Sequence, residues 1–158
     1  MVIKGLVDED FVNYKKPSMF IVFPSCTWKC DRECGERVCQ NGALANTPNI
    51  EVDFKTIVKK YINNPITSAM VMGGLEPMDS YQDVVDIIAY LRATNNNDDV
   101  VIFTGYEKSE LQDKIPELYS FGNVIIKWGR YIPNQNPHYD PILGVQLTSD
   151  NQYAEVIS

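Results

Sequence analysis

Four cysteines lie close together between residues 26 and 39, and the chain contains no others. They are Cys26, Cys30, Cys34 and Cys39, separated by three, three and four residues. Cysteines used only for packing would be scattered through buried strands and helices, so this clustering indicates metal binding or redox chemistry. An iron–sulfur cluster, a structural zinc ion and a pair of disulfides are the three candidates.

The spacing of the cysteines bears on that choice. Three thiolates suffice to hold a cubane cluster while one iron remains without a protein ligand. A structural zinc ion usually has four nitrogen or sulfur ligands in two close pairs, and this loop has no C-x2-C pair. His138, the only histidine, is far away in sequence, so zinc would need all four cysteines. Disulfides are disfavoured in a reducing compartment.

Charge and composition narrow the class of partner. The 158 residues carry a formal net charge of −7, which disfavours nucleic acid or an anionic membrane as the main partner. We find no signal peptide and no apolar run long enough to span a bilayer, so we expect a cytoplasmic protein. We also expect one domain spanning residues 1–158, with a cluster loop at 26–41.

Strand-like apolar runs alternate with helical periodicity along the chain. Helices are predicted from Asp53, which can cap the first one, from Asp79 or Ser80, and over roughly 108–119. In residues 1–16 only Phe11, Val12 and Tyr14 are candidates for a strand. One or two short strands are expected within 143–157. The main strands are predicted over residues 19–23, 67–72, 100–103 and 123–127. The alternation predicts an α/β fold with a parallel sheet of about five to six strands, too few units to close an eight-stranded barrel.

Chemistry-bearing residues follow the predicted strands. The cysteine loop follows the first main strand, and Gly73-Gly74-Leu75-Glu76-Pro77 follows the second. Thr104 follows the third strand, and Lys127 and Arg130 lie at the end of the fourth. The carboxyl ends of parallel strands meet at one edge of a sheet, so these groups are expected to lie near one another.

This arrangement resembles the radical S-adenosylmethionine (SAM) superfamily, which carries a C-x3-C-x2-C loop and a Gly-Gly-Glu-Pro motif on a partial, open (β/α) barrel. Within it, the chain is similar to the activating enzymes of anaerobic (class III) ribonucleotide reductase. The likeness touches five places between residues 20 and 152. Beyond the first two motifs, these are Thr104-Gly105-Tyr106, Gly129-Arg130-Tyr131 and Ser149-Asp150-Asn151-Gln152.

The resemblance implies a set of cluster ligands, with one departure. The family's third cysteine would fall at Glu33, whereas Cys39-Gln40-Asn41 reproduces the usual end of the family's loop. We therefore expect Cys26, Cys30 and Cys39 to bind a 4Fe–4S cluster. Cys34 is an accessory thiol or the alternative third ligand.

The resemblance also implies SAM-binding residues. Gly73 and Gly74 would let the backbone approach the methionine moiety, and Glu76 would accept a hydrogen bond from its amino group. Trp28 would shield the cluster. Thr104 would contact the carboxylate or ribose, or would instead cap the next helix. Lys127 and Arg130 would contact the carboxylate or a carbonyl of the partner's glycyl loop, or would be solvated surface charges. Asn151 and Gln152 would hold the adenine or the C-terminal closure.

The function that follows is reductive cleavage of SAM to a 5′-deoxyadenosyl radical, which installs a glycyl radical on anaerobic ribonucleoside-triphosphate reductase. The expected partners are the large glycyl radical subunit of that reductase and a reduced flavodoxin- or ferredoxin-type electron donor. The alternatives are a small radical SAM enzyme acting on a metabolite, similar to 7-carboxy-7-deazaguanine synthase, and a zinc-stabilised binding module without catalysis.

Overall fold

The fold is built on one six-stranded sheet with α-helices packed on one face. A computed structural model describes residues 1–26, 32, 34–36 and 42–158. Its strands are β1 (Val2–Ile3), β2 (Gly5–Asp10), β3 (Ser18–Phe23), β4 (Ile50–Glu51), β5 (Ala69–Gly74), β6 (Asp99–Phe103), β7 (Val124–Trp128), β8 (His138–Asp140), β9 (Val145–Leu147) and β10 (Tyr153–Val156). The α-helices in this part of the chain are α1 (Phe54–Asn63), α2 (Tyr81–Ala93) and α3 (Ile115–Ser120), and 3-10 helices cover Gly42–Asn46, Pro77–Ser80 and Lys108–Leu111.

The sheet is mixed, with strand order β10-β7-β6-β5-β3-β2. The four inner strands β3, β5, β6 and β7 are parallel, as their continuous apolar sequences predict. The expectation of a wholly parallel sheet is wrong at the two outer strands, because β2 and β10 run antiparallel to their neighbours. An antiparallel neighbour needs no crossover helix, and only residues 11–17 separate β2 from β3.

One face of the sheet packs against the three α-helices. Met19 and Ile21 of β3 and Met70 and Met72 of β5 join side chains of α1 and α2 in the larger apolar core. Helix α1 begins where predicted, because the Asp53 carboxylate accepts a hydrogen bond from the Lys55 backbone N–H at 2.9 Å. The parallel inner strands are therefore packed against a layer of helices, which fixes the positions of their carboxyl ends.

The other face carries the alternate residues of the same strands. Val71, Val101 and Ile125 pack there with Tyr14 and with residues around the β8–β9 hairpin. Register places Phe103 of β6 beside Lys127 of β7 near the carboxyl end of this face. A cationic residue thus occupies a position that is otherwise apolar along the strand.

Two local predictions need correction or refinement. Phe11 and Val12 are exposed and lie in the loop after β2, while β1 and β2 form from residues whose pattern did not indicate strands. The predicted helix over 108–119 is divided into a 3-10 helix and α3, with Pro116 in the first turn of α3, where a missing N–H is tolerated. The short strands expected in the C-terminal segment are confirmed as β9 and β10.

No helix in the described part of the chain is both long enough and apolar enough to cross a membrane.

Gly74 ends β5 with a backbone φ of +85°, and a Cβ built there would lie 2.5 Å from Cγ1 of Val22. Gly122 has a similar φ of +71° but has open space around the Cβ position. We predict that Gly122→Ala lowers the free energy of unfolding by about 1–2 kcal/mol through backbone strain alone. Gly74→Ala should cost about 1–3 kcal/mol more, because the strand neighbour must also move.

Urea unfolding of the two variants measures the comparison directly. If both variants lost the same free energy of unfolding, the contact of the new Cβ with Val22 would be relieved at little cost.

Candidate functional site

A cavity of about 450 Å³ opens at the carboxyl ends of the inner strands, on the face opposite the helices. Its walls come from the loops after β3, β5, β6 and β7 and from the hairpin and turn at residues 146–152. The volume is within the range of about 300–1,000 Å³ that is usual for small-molecule sites. The lining of the cavity is mixed. The apolar residues are Phe20, Leu44, Leu75, Phe103 and Leu147, and the polar or charged ones are Asn13, Glu76, Thr104, Lys127, Tyr131, Gln146, Thr148 and Gln152.

Cys26 lines this cavity, and backbone hydrogen bonds fix the segment that leads to it. The Leu75 N–H donates to the Phe23 carbonyl at 3.3 Å, and the Glu76 N–H donates to the Ser25 carbonyl at 2.7 Å. These bonds continue the pairing of β3 with β5 beyond the ends of both strands. The first cysteine of the loop is therefore held beside the Gly-Gly-Leu-Glu-Pro turn.

Glu76 places a buried carboxylate in the cavity wall, and three neutral donors bind it. Oε1 accepts hydrogen bonds from the Met78 N–H at 3.0 Å and the Thr104 hydroxyl at 2.8 Å. Oε2 accepts one from the Gly105 N–H at 2.8 Å. Burial raises the pKa of Glu76 above its ordinary value, while these three hydrogen bonds oppose the rise. A carboxylate has about four acceptor positions, so Oε2 retains capacity for a further donor.

Gly73 and Gly74 have a packing requirement of their own. A Cβ at Gly73 would lie 2.9 Å from Cζ of Phe20, and a Cβ at Gly74 would meet the Val22 side chain. Both β3 residues therefore come close to β5 because the glycines lack side chains. Gly74 lines the cavity, so its proposed proximity to a ligand stays compatible with this packing role.

Thr104 and Lys127 also line the cavity and are buried. The Thr104 hydroxyl bonds Glu76 and accepts a hydrogen bond from the Tyr106 N–H at 3.1 Å. The Lys127 ammonium donates to the Gly129 carbonyl at 2.9 Å. The cavity wall thus holds a carboxylate and an ammonium group, a combination suited to a ligand that carries both an amino and a carboxylate group.

Arg130 and Asn151 occupy different surroundings. Arg130 is buried, and its Nη2 lies 2.6 Å from Oε1 and 2.8 Å from Oε2 of Glu110. Asn151 donates to the Arg130 carbonyl at 2.8 Å and accepts from the Ser149 hydroxyl at 2.7 Å. Neither residue is among the described residues that line the cavity, so their direct contact with a ligand stays a prediction.

Three predicted site residues, Trp28, Cys30 and Cys39, lie outside the described residues. Cys34 is described and exposed. The choice between Cys34 and Cys39 as third ligand therefore stays a prediction from the sequence.

Asn13, Gln146 and Thr148 carried little or no signal in the sequence, whereas Gln152 was expected at the site together with Asn151. Asn13 comes from the loop between β2 and β3, and Gln146 and Thr148 come from β9 and the turn that follows it. Gln152, part of the Ser-Asp-Asn-Gln segment, uses Oε1 to accept from Thr148 and Ser149, so it stabilises the turn and lines the cavity at once. Loops that reach a site only through tertiary packing leave no periodicity to detect.

The chain matches the family described as the 4Fe-4S single cluster domain over residues 18–152. It belongs to this family. The matched range runs from the start of β3 to Gln152 and so includes all four cysteines and the residues around Glu76. Among curated proteins and among solved structures, no significant match is found.

Membership of this family decides among the three explanations of the cysteines. It supports a 4Fe–4S cluster, not a structural zinc ion or disulfides. The donors fit such a cluster, because thiolates are the usual iron–sulfur ligands and Cys26 faces the cavity at the start of the cysteine loop.

The raised pKa of Glu76 predicts a specific dependence of stability on pH. Because the folded protein binds this proton more tightly than the unfolded chain, ionisation of Glu76 lowers the free energy of unfolding as pH rises above about 4.3, the ordinary glutamate value. Glu76→Gln removes this titration but leaves one backbone N–H without an acceptor, at a cost of about 1–3 kcal/mol. The stability advantage of the wild type over the variant should therefore shrink with rising pH.

Denaturant unfolding of the cluster-free protein over a series of pH values measures this difference, with Glu51→Gln at an exposed position as the matched control. If the stability advantage of the wild type over Glu76→Gln grew with pH, the hydrogen bonds to the carboxylate would outweigh the effect of burial on its pKa.

Proposed function

We propose that the chain is a radical SAM activating enzyme that installs a glycyl radical on the large subunit of an anaerobic ribonucleoside-triphosphate reductase. The observation that carries the proposal is the shared cavity of Cys26 and Glu76, where the first cysteine of the motif and a buried carboxylate line one cavity at the carboxyl ends of adjacent parallel strands. The family match supports the cluster. The resemblance described above supports SAM and the activating role.

Residues of the cavity suit the polar end of SAM. Glu76 lines the cavity and would accept a hydrogen bond from the amino group, and the Lys127 ammonium would bind the carboxylate. When bound, the reduced cluster would supply the electron that splits SAM into methionine and a 5′-deoxyadenosyl radical. Cys26, Cys30 and Cys39 would hold that cluster, and the apolar wall would exclude water from the reacting groups.

The cavity volume of about 450 Å³ is within the range for one small-molecule ligand, and we place SAM in it. The substrate would then be a residue of a large partner. A glycine on a protein loop needs little further space because it lacks a side chain. The electron donor in this proposal is a reduced flavodoxin- or ferredoxin-type protein.

The choice of third ligand gives a prediction with a matched control. Cys39→Ala should lower the iron bound after anaerobic reconstitution and abolish the SAM-responsive cluster, because only two of the predicted ligands remain. Cys34→Ala, the same change at an exposed cysteine, should retain both. Iron and sulfide analysis with electron paramagnetic resonance (EPR) measures the outcome, and the reverse pattern would assign Cys34 as the ligand.

SAM chemistry is tested with the reconstituted wild-type protein. Addition of SAM to the reduced protein should change the EPR spectrum of the cluster, and reductant should then yield 5′-deoxyadenosine. Addition of the reductase subunit should produce a glycyl radical signal, which Cys26→Ala should eliminate. An intact cluster that neither responds to SAM nor cleaves it would contradict the proposal.

The same experiments distinguish the proposed function from its two alternatives. SAM cleavage without a glycyl radical on the reductase would instead favour a metabolite as substrate. Zinc in place of iron and sulfide after anaerobic purification would favour a binding module.

A further inference from the structure

Two loops provide the donors that hold the Glu76 carboxylate, and one of them belongs to the segment after β6. Thr104 and Gly105 supply two of the three hydrogen bonds to Glu76. Both residues follow the last residue of β6. The Thr104 N–H still donates to the Lys127 carbonyl of β7 at 2.9 Å, and Gly105 lies beyond this bond. Contacts outside the sheet therefore contribute to the position of Gly105 and of the residues after it.

Tyr106 connects the segment to its neighbours on both sides. Its N–H donates to the Thr104 hydroxyl at 3.1 Å, and its phenol donates to the Asp79 carboxylate at 2.5 Å. Its carbonyl accepts a hydrogen bond from the Gly129 N–H at 3.1 Å. Tyr106 is therefore bonded to the loop after β5, to the loop after β7 and to the residue that bonds Glu76.

Arg130 lies over the ring of Tyr106 and is paired with Glu110. The Arg130 guanidinium lies 5.9 Å from the centre of the Tyr106 ring and pairs with both oxygens of Glu110. Glu110 also accepts a hydrogen bond from the Glu107 N–H at 2.8 Å, which fixes the start of the 3-10 helix. The pair thus joins the loop after β7 to Tyr106 and to the start of the 3-10 helix that follows it. Arg130 is buried and Glu110 is exposed, and a charge-assisted pair with two short N–O distances adds geometric specificity to this contact.

We propose that Arg130 and Glu110 are positioning residues, which hold Tyr106 so that Thr104 and Gly105 present their donors to Glu76. This inference rests on the proposed function, because Glu76 is the group expected to bind the SAM amino group. It replaces a direct contact of Arg130 with the ligand by an indirect action through the loop after β6. Lys127, whose side chain faces the cavity, keeps the direct role.

A double-mutant cycle on SAM affinity tests the indirect action. The dissociation constant of SAM is measured by equilibrium dialysis for the reconstituted wild type, Arg130→Met, Glu76→Gln and the double variant. Arg130→Met should weaken binding about tenfold in the wild-type background and less than about twofold when Gln replaces Glu76, because coupled residues act non-additively. If Arg130→Met raised the dissociation constant of SAM by the same factor with either Glu or Gln at position 76, the inference would be overturned.

Arg92→Met is the matched control for lost stability. The Arg92 guanidinium donates to the carbonyls of Phe121 and Gly122, near the amino-terminal end of β7, and so lies at the opposite end of the sheet from the cavity. Its replacement should destabilise the protein but leave the dissociation constant of SAM unchanged.

Hydrogen exchange at the Gly105 amide gives a second test that needs no SAM. Arg130→Met and the milder Glu110→Gln should each increase its exchange rate about tenfold or more, since its bond to the Glu76 carboxylate opens more often. Arg92→Met should not increase the exchange rate of the Gly105 amide. Unchanged exchange in both test variants would overturn the inference, whereas lack of SAM binding by the wild type would contradict only the proposed function.

Discussion

The buried carboxylate of Glu76 is the interaction on which the site depends. Its donors come from its own turn and from the segment after β6, while its backbone N–H bonds the residue before Cys26. A carboxylate removed from water needs these partners, and each partner is thereby held in one place. One residue thus fixes three neighbouring loops relative to one another.

The sheet makes that convergence possible. Parallel strands end at the same edge, and the apolar residues between β5 and the helices hold their ends at constant spacing. Gly73 and Gly74 bring β3 close enough for backbone bonds to continue past the strand ends. The cysteine loop therefore starts from a fixed point, in keeping with a family defined by a single 4Fe–4S cluster.

The sequence predicted the parts of the molecule that are governed by local periodicity. The runs around Met70 and Val101 are apolar because they are buried on both faces, and such runs identify inner strands well. Strand β2 was missed because Val7 is half exposed and three acidic residues follow it, so no apolar pattern marks an edge strand. The pairing of Arg130 with Glu110 depends on how two loops meet, which neither residue's sequence neighbours indicate.

The antiparallel strands at the two borders of the sheet have a consequence for how such a fold can be elaborated. A parallel array lengthens when another strand–helix repeat is appended in the same direction, but β2 and β10 present reversed strands at both margins. At β10 the outward N–H of Ala154 is already engaged by the Asp140 carboxylate. Insertions would thus be accommodated in the loops between strands. Such a fold would vary in the loops around the cavity, while the number of strands in the sheet would stay constant.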